Sequence, residues 1–112
     1  MNESKSPRYR RAKVLFKNEP AGMIEETENG YRFTYNGEFA KNKIPVSISI
    51  PLRAEPYESK TLFSFFEGLL PEGWYLDLVS SKLKIDKNDH FGLLLATCQD
   101  TVGAVSIEAI YE

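Results

Sequence analysis

FSFFEGLLPEGWYLDL, residues Phe63 to Leu78, is where the periodicity of the chain changes from that of strands to that of helices. From Thr61 onward, Leu62, Phe63, Phe65, Phe66, Leu69 and Leu70 fall on an arc of about 160° of a helical wheel, with Ser64, Glu67 and Gly68 outside it. This predicts a helix whose apolar face is the core of the domain. Pro71 disfavours helical geometry at Leu70 and suits the first turn of a new helix, so the chain should bend there and restart through Leu83. On that second helix Leu76, Val79 and Leu83 share one side, while Trp74, Leu78 and Ser81 lie roughly 140–200° away. One apolar face packs on the domain; the other has to meet a further layer, a partner or water. Trp74 therefore either folds back onto the neighbouring helix or anchors a partner, a role in which tryptophan is enriched. The candidate partner-binding residues are Trp74, Leu78 and Ser81, with Glu72 and Gly73 from the break that presents them.

Before this segment the chain alternates. Ala12, Val14 and Phe16 oppose Lys13 in the period-two pattern of a half-buried strand. A turn is expected over Asn18–Gly22, with Met23 and Ile24 opening a second strand. Asn29-Gly30 is a strong hairpin signal, because both residues tolerate positive φ, and Tyr31, Phe33 and Tyr35 then share one face. Asn36-Gly37 ends that strand, a loop through Lys41, Asn42 and Lys43 follows, and Val46, Ile48 and Ile50 alternate between Pro45 and Pro51 as a fourth, short strand. After the Pro71 break, Asn88 is placed to cap a third helix carrying Phe91, Leu94, Leu95 and Cys98 on one face, and Gly103–Ile107 returns to strand. The order predicts an α+β domain, a small, mainly antiparallel sheet with about three helices packed on one face. Residues 1–11 read as a flexible basic tail and residues 12–112 as a single domain.

With 112 residues and 42% hydrophobic content the chain has room for one core, and its formal charge of −2 offers no concentrated cationic footprint for nucleic acid. The basic residues Lys5, Arg8, Arg10, Arg11 and Lys13 cluster in the polar N-terminal segment and read as solvated. No apolar run reaches the ~20 residues of a membrane span and no secretory apolar region opens the chain, so a cytoplasmic location is expected. A lone cysteine, Cys98, and a lone histidine, His90, build neither an internal disulfide nor a metal site by themselves, and both read as structural. Glu25 with Glu26, Glu55 with Glu58, and Asp86 with Asp89 read as solvated carboxylates without a basic orienter nearby in sequence, and Ser59, Ser64, Ser80 and Ser81 lack an activating context. Phosphate-cradling glycine motifs, a catalytic-loop His-Arg-Asp and a metal-binding Asp-Phe-Gly are all missing from the sequence, so no catalytic residue, cofactor or metal is assigned and the chain is not expected to be an enzyme.

Leu69-Leu70-Pro71-Glu72-Gly73, the preceding Phe65-Phe66, the hairpin ending Phe33-Thr34-Tyr35, the segment Ile48-Ser49-Ile50-Pro51-Leu52, and Gly103-Ala104-Val105 occur in the order and spacing of a known family. Over some ninety residues the chain resembles the N-terminal subdomain of the HipA-type serine/threonine toxin kinases. The resemblance implies a module that packs near the kinase N-lobe and active site and carries no catalytic machinery. It resembles in particular the separately encoded, HipS-type form of that subdomain, an antitoxin toward a shortened, HipT-like kinase. The resemblance thus implies two partners: a HipT-like serine/threonine kinase and, in a larger complex, a HipB-like helix-turn-helix protein that holds the DNA. Inhibition in trans would then need only the face that packs on the kinase in the fused proteins. The alternative is the N-terminal subdomain of a longer HipA-like kinase, structural and regulatory, with no activity of its own.

Overall fold

The computed structural model describes residues 9–41, 44–99 and 104–110. The basic tail through Arg8, the Asn42-Lys43 part of the lysine loop and Gly103, expected to open the last strand, lie outside the described residues. Five strands, β1 (Arg11–Phe16), β2 (Glu19–Thr27), β3 (Gly30–Tyr35), β4 (Tyr57–Ser59) and β5 (Val105–Ile110), form one antiparallel sheet in the order β4-β3-β2-β1-β5. Four helices, α1 (Gly37–Ala40), α2 (Ser64–Glu67), α3 (Gly73–Leu83) and α4 (His90–Thr97), complete the α+β fold.

The first hairpin is tighter than the sequence suggests. Lys17 and Asn18 both take positive φ, 51° and 69°, so a two-residue turn leads directly into β2 at Glu19. The residues read as a turn, Glu19 to Gly22, are strand, and the register shift opposite Val14 and Leu15 leaves Ala21 as the extra residue of a bulge beside Pro20. Gly22 is required there by close approach, since a Cβ would stand 2.4 Å from the Thr34 carbonyl oxygen. The second hairpin turns at Glu28-Asn29, between the paired Thr27 and Gly30.

The fourth strand moves. Between its two prolines the segment Pro45–Pro51 makes only a Ser47–Ile50 bridge, closed by an Ile50 N–H to Ser47 carbonyl bond of 3.0 Å. The Tyr35 hydroxyl holds this loop, accepting from the Val46 N–H at 3.1 Å and donating to the Ile50 carbonyl. Val46 and Ile50 are buried while Ile48 stands 93% exposed at the tip, so the apolar alternation is that of a pinned loop and the sheet edge is supplied by Tyr57–Ser59 instead. Asn36 does end β3, but as the cap of α1, its side chain accepting from the Glu38 N–H at 2.8 Å. The helix expected from Thr61 shrinks to one turn, α2, followed by tight i,i+3 bonds at Leu69 and Leu70 that bring the chain to Pro71. The cap of α4 is Asp89, which accepts from the Gly92 N–H at 3.1 Å, one residue after the expected Asn88.

One face of the sheet carries the core. Ala12, Val14, Ile24, Phe33 and Ile107 are sealed under Phe39 of α1, Phe66 of α2, and Phe91 and Leu94 of α4. The opposite face carries exposed cross-strand charge pairs, Lys13 with Glu108 and Arg32 with Glu58. Phe66 is fully buried, with ring contacts to Phe33, Phe63 and Phe65, whereas Leu69, assigned the same weight in the sequence reading, is only partly buried.

Arg10 and Arg11 lie at the tail side of the predicted boundary, yet Arg11 opens β1 and Arg10 is a structural clasp. The Arg10 guanidinium donates to both Glu26 oxygens at 3.0 and 2.8 Å and to both Asp89 oxygens at 3.0 and 2.8 Å, and the Arg10 backbone N–H adds a 2.9 Å bond to Glu26. These two carboxylates, read as freely solvated, thus share one orienter that is remote in sequence, and Arg10 also lies over the Phe91 ring at 5.4 Å. Hydrogen bonds from Arg10 are the main cause that holds both the Glu26 and Asp89 carboxyls below their ordinary range.

Two outcomes follow from this packing. Phe66→Ala should cost about 3–5 kcal/mol and Leu69→Ala distinctly less, read from denaturant midpoints. Because the folded Glu26 and Asp89 titrate below their unfolded values, their contribution is complete above about pH 5 and is lost as pH falls through the depressed folded values. Arg10→Met, which keeps the stem over Phe91, should narrow the stability difference between pH 6 and pH 3; an unchanged difference would remove the clasp as the cause.

Candidate partner-binding surface

Pro71 and Gly73 set the direction of α3. Glu72 is the N-cap, in extended geometry, with its carbonyl accepting the Leu76 N–H at 3.2 Å and its side chain making no cap bond. Gly73 follows at φ +58°, where a Cβ would meet no neighbour but the backbone itself would be strained. Glycine is needed there for the reversal that starts the helix. At the other end Lys84 takes the left-handed conformation, and Ser80 closes the cap by accepting the Ile85 N–H at its carbonyl and donating its hydroxyl to the Ile85 carbonyl.

Between these ends the two faces predicted for the helix separate. Val79 is buried and Leu76 half-buried, so they form the inner side; Leu83, expected with them, is exposed at the last turn, next to the left-handed cap. Trp74 is 76% exposed and Leu78 43%, so the indole does not fold back into the core. Its ring contact is with Tyr75, edge-on at a centroid distance of 6.0 Å, and Tyr75 is itself half-exposed. Glu72, Gly73 and Ser81 are exposed as well, so all five candidate residues lie on the solvent side of α3 or its start. The sequence reading missed Tyr75 and Lys82 on this side. Helical spacing from Trp74 and Leu78 would have found Lys82, which continues the same i,i+4 ridge. Asp77, flanking the ridge, is paired with Lys87 from the following loop.

Other chemistry-bearing groups have structural partners. His90 Nδ1 and Glu67 Oε2 are 2.6 Å apart, joining the start of α4 to the end of α2. Cys98 is buried, its thiol directed at the Leu69 carbonyl oxygen at 3.6 Å, and burial pushes its pKa up, away from a reactive thiolate. Among the described residues no three His, Cys, Asp or Glu side chains gather as a metal site, and no helix is long and apolar enough to cross a membrane.

Residues 12–108 match the model of the HipA N-terminal domain. The chain belongs to that family. A solved structure described as the N-terminal domain of HipA toxin superposes with a TM-score of 0.72 at 30% identity, covering 96% of this chain and 98% of that one. A Haemophilus influenzae protein of undescribed function is 36% identical over 99 residues, which is 88% of this chain and 92% of that protein. The putative kinase Y4mE of Sinorhizobium fredii is 34% identical over 67 residues, 60% of this chain but only 16% of the kinase. The HipA N-terminal domain is thus found both in a relative scarcely larger than itself and as a small part of a far longer protein.

Because Trp74 and Leu78 take little part in the core, Trp74→Ala and Leu78→Ala should each leave unfolding stability within about 0.5 kcal/mol of the parent chain, measured by denaturant melts. A loss approaching ~3 kcal/mol for Trp74→Ala would show that the indole is core after all.

Proposed function

We propose that this protein is an antitoxin, which binds a HipT-like serine/threonine kinase in trans and inhibits it through contacts near the kinase N-lobe and active site, without activity of its own. The observation that carries this reading is the solvent-exposed Trp74-Leu78 ridge on a HipA N-terminal domain. A large aromatic exposed on a small domain is an unsatisfied surface, and the same domain within a kinase such as Y4mE has a catalytic body to pack against. The Haemophilus relative, matched over 92% of its length, supports a separately encoded form of the module. Under this reading Trp74 and Leu78 are the central anchors, Glu72, Gly73 and Ser81 flank them, and the complex includes a HipB-like helix-turn-helix protein that makes the DNA contacts in the cytoplasm. The second reading, the N-terminal subdomain of a longer HipA-like kinase, is favoured by the match to Y4mE; the same ridge would then pack in cis.

Coexpression with a HipT-like kinase encoded beside this chain would separate binding from folding. Trp74→Ala should lower affinity for that kinase by about 2 kcal/mol or more, roughly thirtyfold, and restore toxicity, while the variant stays folded. Full inhibition by a folded Trp74→Ala variant would remove Trp74 as the anchor. Failure of the parent chain to bind any kinase encoded beside it would overturn the antitoxin reading itself.

A further inference from the structure

Residues 71–88, which carry α3 and both its ends, form an excursion from the core. Within this stretch only Val79 is buried, and it lies outside the main core cluster that takes Phe66 from α2 and Phe91 and Leu94 from α4. Among the described residues α3 makes no hydrogen bond or ion pair to the sheet or to another helix; its polar contacts stay with its own cap at Glu72, with Ile85 and with Lys87. The base of the excursion, by contrast, is fastened on both sides. Before it the Cys98 thiol reaches the Leu69 carbonyl oxygen at 3.6 Å, and after it Arg10 clasps Asp89. Glu67 and His90, 2.6 Å apart, join the two sides directly.

We infer that α3 undocks and melts as one unit while the sheet, α2 and α4 stay folded, with the left-handed Gly73 and Lys84 as its limits and the Glu67–His90 bond as the pin that confines the opening. Undocking releases one buried valine and the half-buried Leu76 and Ile85, a small part of what the core holds. An 11-residue helix without packing is marginal in water, so the undocked segment does not persist as a helix. The spacing that lines up Trp74 and Leu78 therefore exists only in the docked state. A partner that takes the ridge in helical form stabilises that state by mass action, and orders α3 without touching the core.

Amide hydrogen exchange of the free chain tests this. Residues 77–83 should exchange through an opening at least about 100-fold more populated than the one that releases the inner amides of β1, β2 and β3, and with a much weaker dependence on denaturant. Ile107→Val, a small loss inside the core, should speed the inner strand amides about fivefold and leave residues 77–83 unchanged, because the open state keeps the core. Val79→Ala should speed residues 77–83 by about fivefold or more, since it weakens the docking contact itself. His90→Ala removes the pin, and the amides of Gly68, Leu69 and Leu70, bonded within and just after α2, should then lose protection together with α3. Exchange of residues 77–83 at the rate and denaturant slope of the strands, equal acceleration of both sets by Ile107→Val, or no response of residues 77–83 to Val79→Ala would overturn the inference. Unchanged protection at Gly68, Leu69 and Leu70 in a folded His90→Ala chain would overturn the pin. The antitoxin reading is tested separately. A kinase that binds a chain whose α3 never opens alone defeats only this proposal, and an opening α3 on a chain that ignores the kinase defeats only that reading.

Discussion

The fold depends on the contact between Phe33 of β3 and Phe66 of α2, two fully buried rings with centroids 5.6 Å apart. Phe33 also meets Tyr35 edge-on at 4.8 Å, and Tyr35 stacks on Phe39 at 6.1 Å, so the aromatic chain runs from the one-turn α2 across β3 to α1. Neither α1 nor α2, at four residues each, is long enough to persist by its own hydrogen bonds. Both hold because each inserts one phenylalanine into this seam. The remainder follows from what the seam fixes: the Tyr35 hydroxyl pins the Pro45–Pro51 loop, and the end of α2 determines where Pro71 and Gly73 redirect the chain into α3.

Patterning made much of this legible. Period-two alternation located β1 and β3, Asn-Gly dipeptides fell at or beside the ends of strands, and the proline break separated α2 from α3. What escaped were features set by partners distant in sequence. The alternation of Val46, Ile48 and Ile50 is that of a strand, and only a tyrosine hydroxyl eleven and fifteen residues away turns it into a loop. Arg10 reads as one of a run of solvated cations until folding brings Glu26 and Asp89 to it, from sixteen and seventy-nine residues along the chain. A six-residue apolar arc likewise predicts a longer helix than Gly68 and Pro71 permit, because an arc records which side chains are buried and not whether the backbone between them keeps its i,i+4 bonds.

The α3 surface was more legible than the core, for a physical reason. A wheel of eleven residues with two apolar sides states that one cannot be inside, and only the neighbouring elements decide which. Val79 faces in, so Trp74, Leu78 and Lys82 face out; the one misplaced residue, Leu83, sits where the left-handed Lys84 ends the wheel's validity. Lys82 carries no apolar signal, so a hydrophobic pattern could not include it, although its charge gives the ridge a direction.

The separation of the two faces bears on where the stability of the domain resides. The sealed side of the sheet has its own fastening, with Arg10 tying the chain's entry to β2 and to the cap of α4, and Cys98 accepting the Ile107 N–H at its carbonyl to bind the end of α4 to β5. None of these contacts uses an outward residue of α3. Substitutions on the ridge therefore cost folding little, whereas an aromatic in the seam cannot be traded without opening a cavity. The domain matches nearly the whole of one relative and a small part of a putative kinase, and a core fastened without the outward side of α3 can fold in both settings.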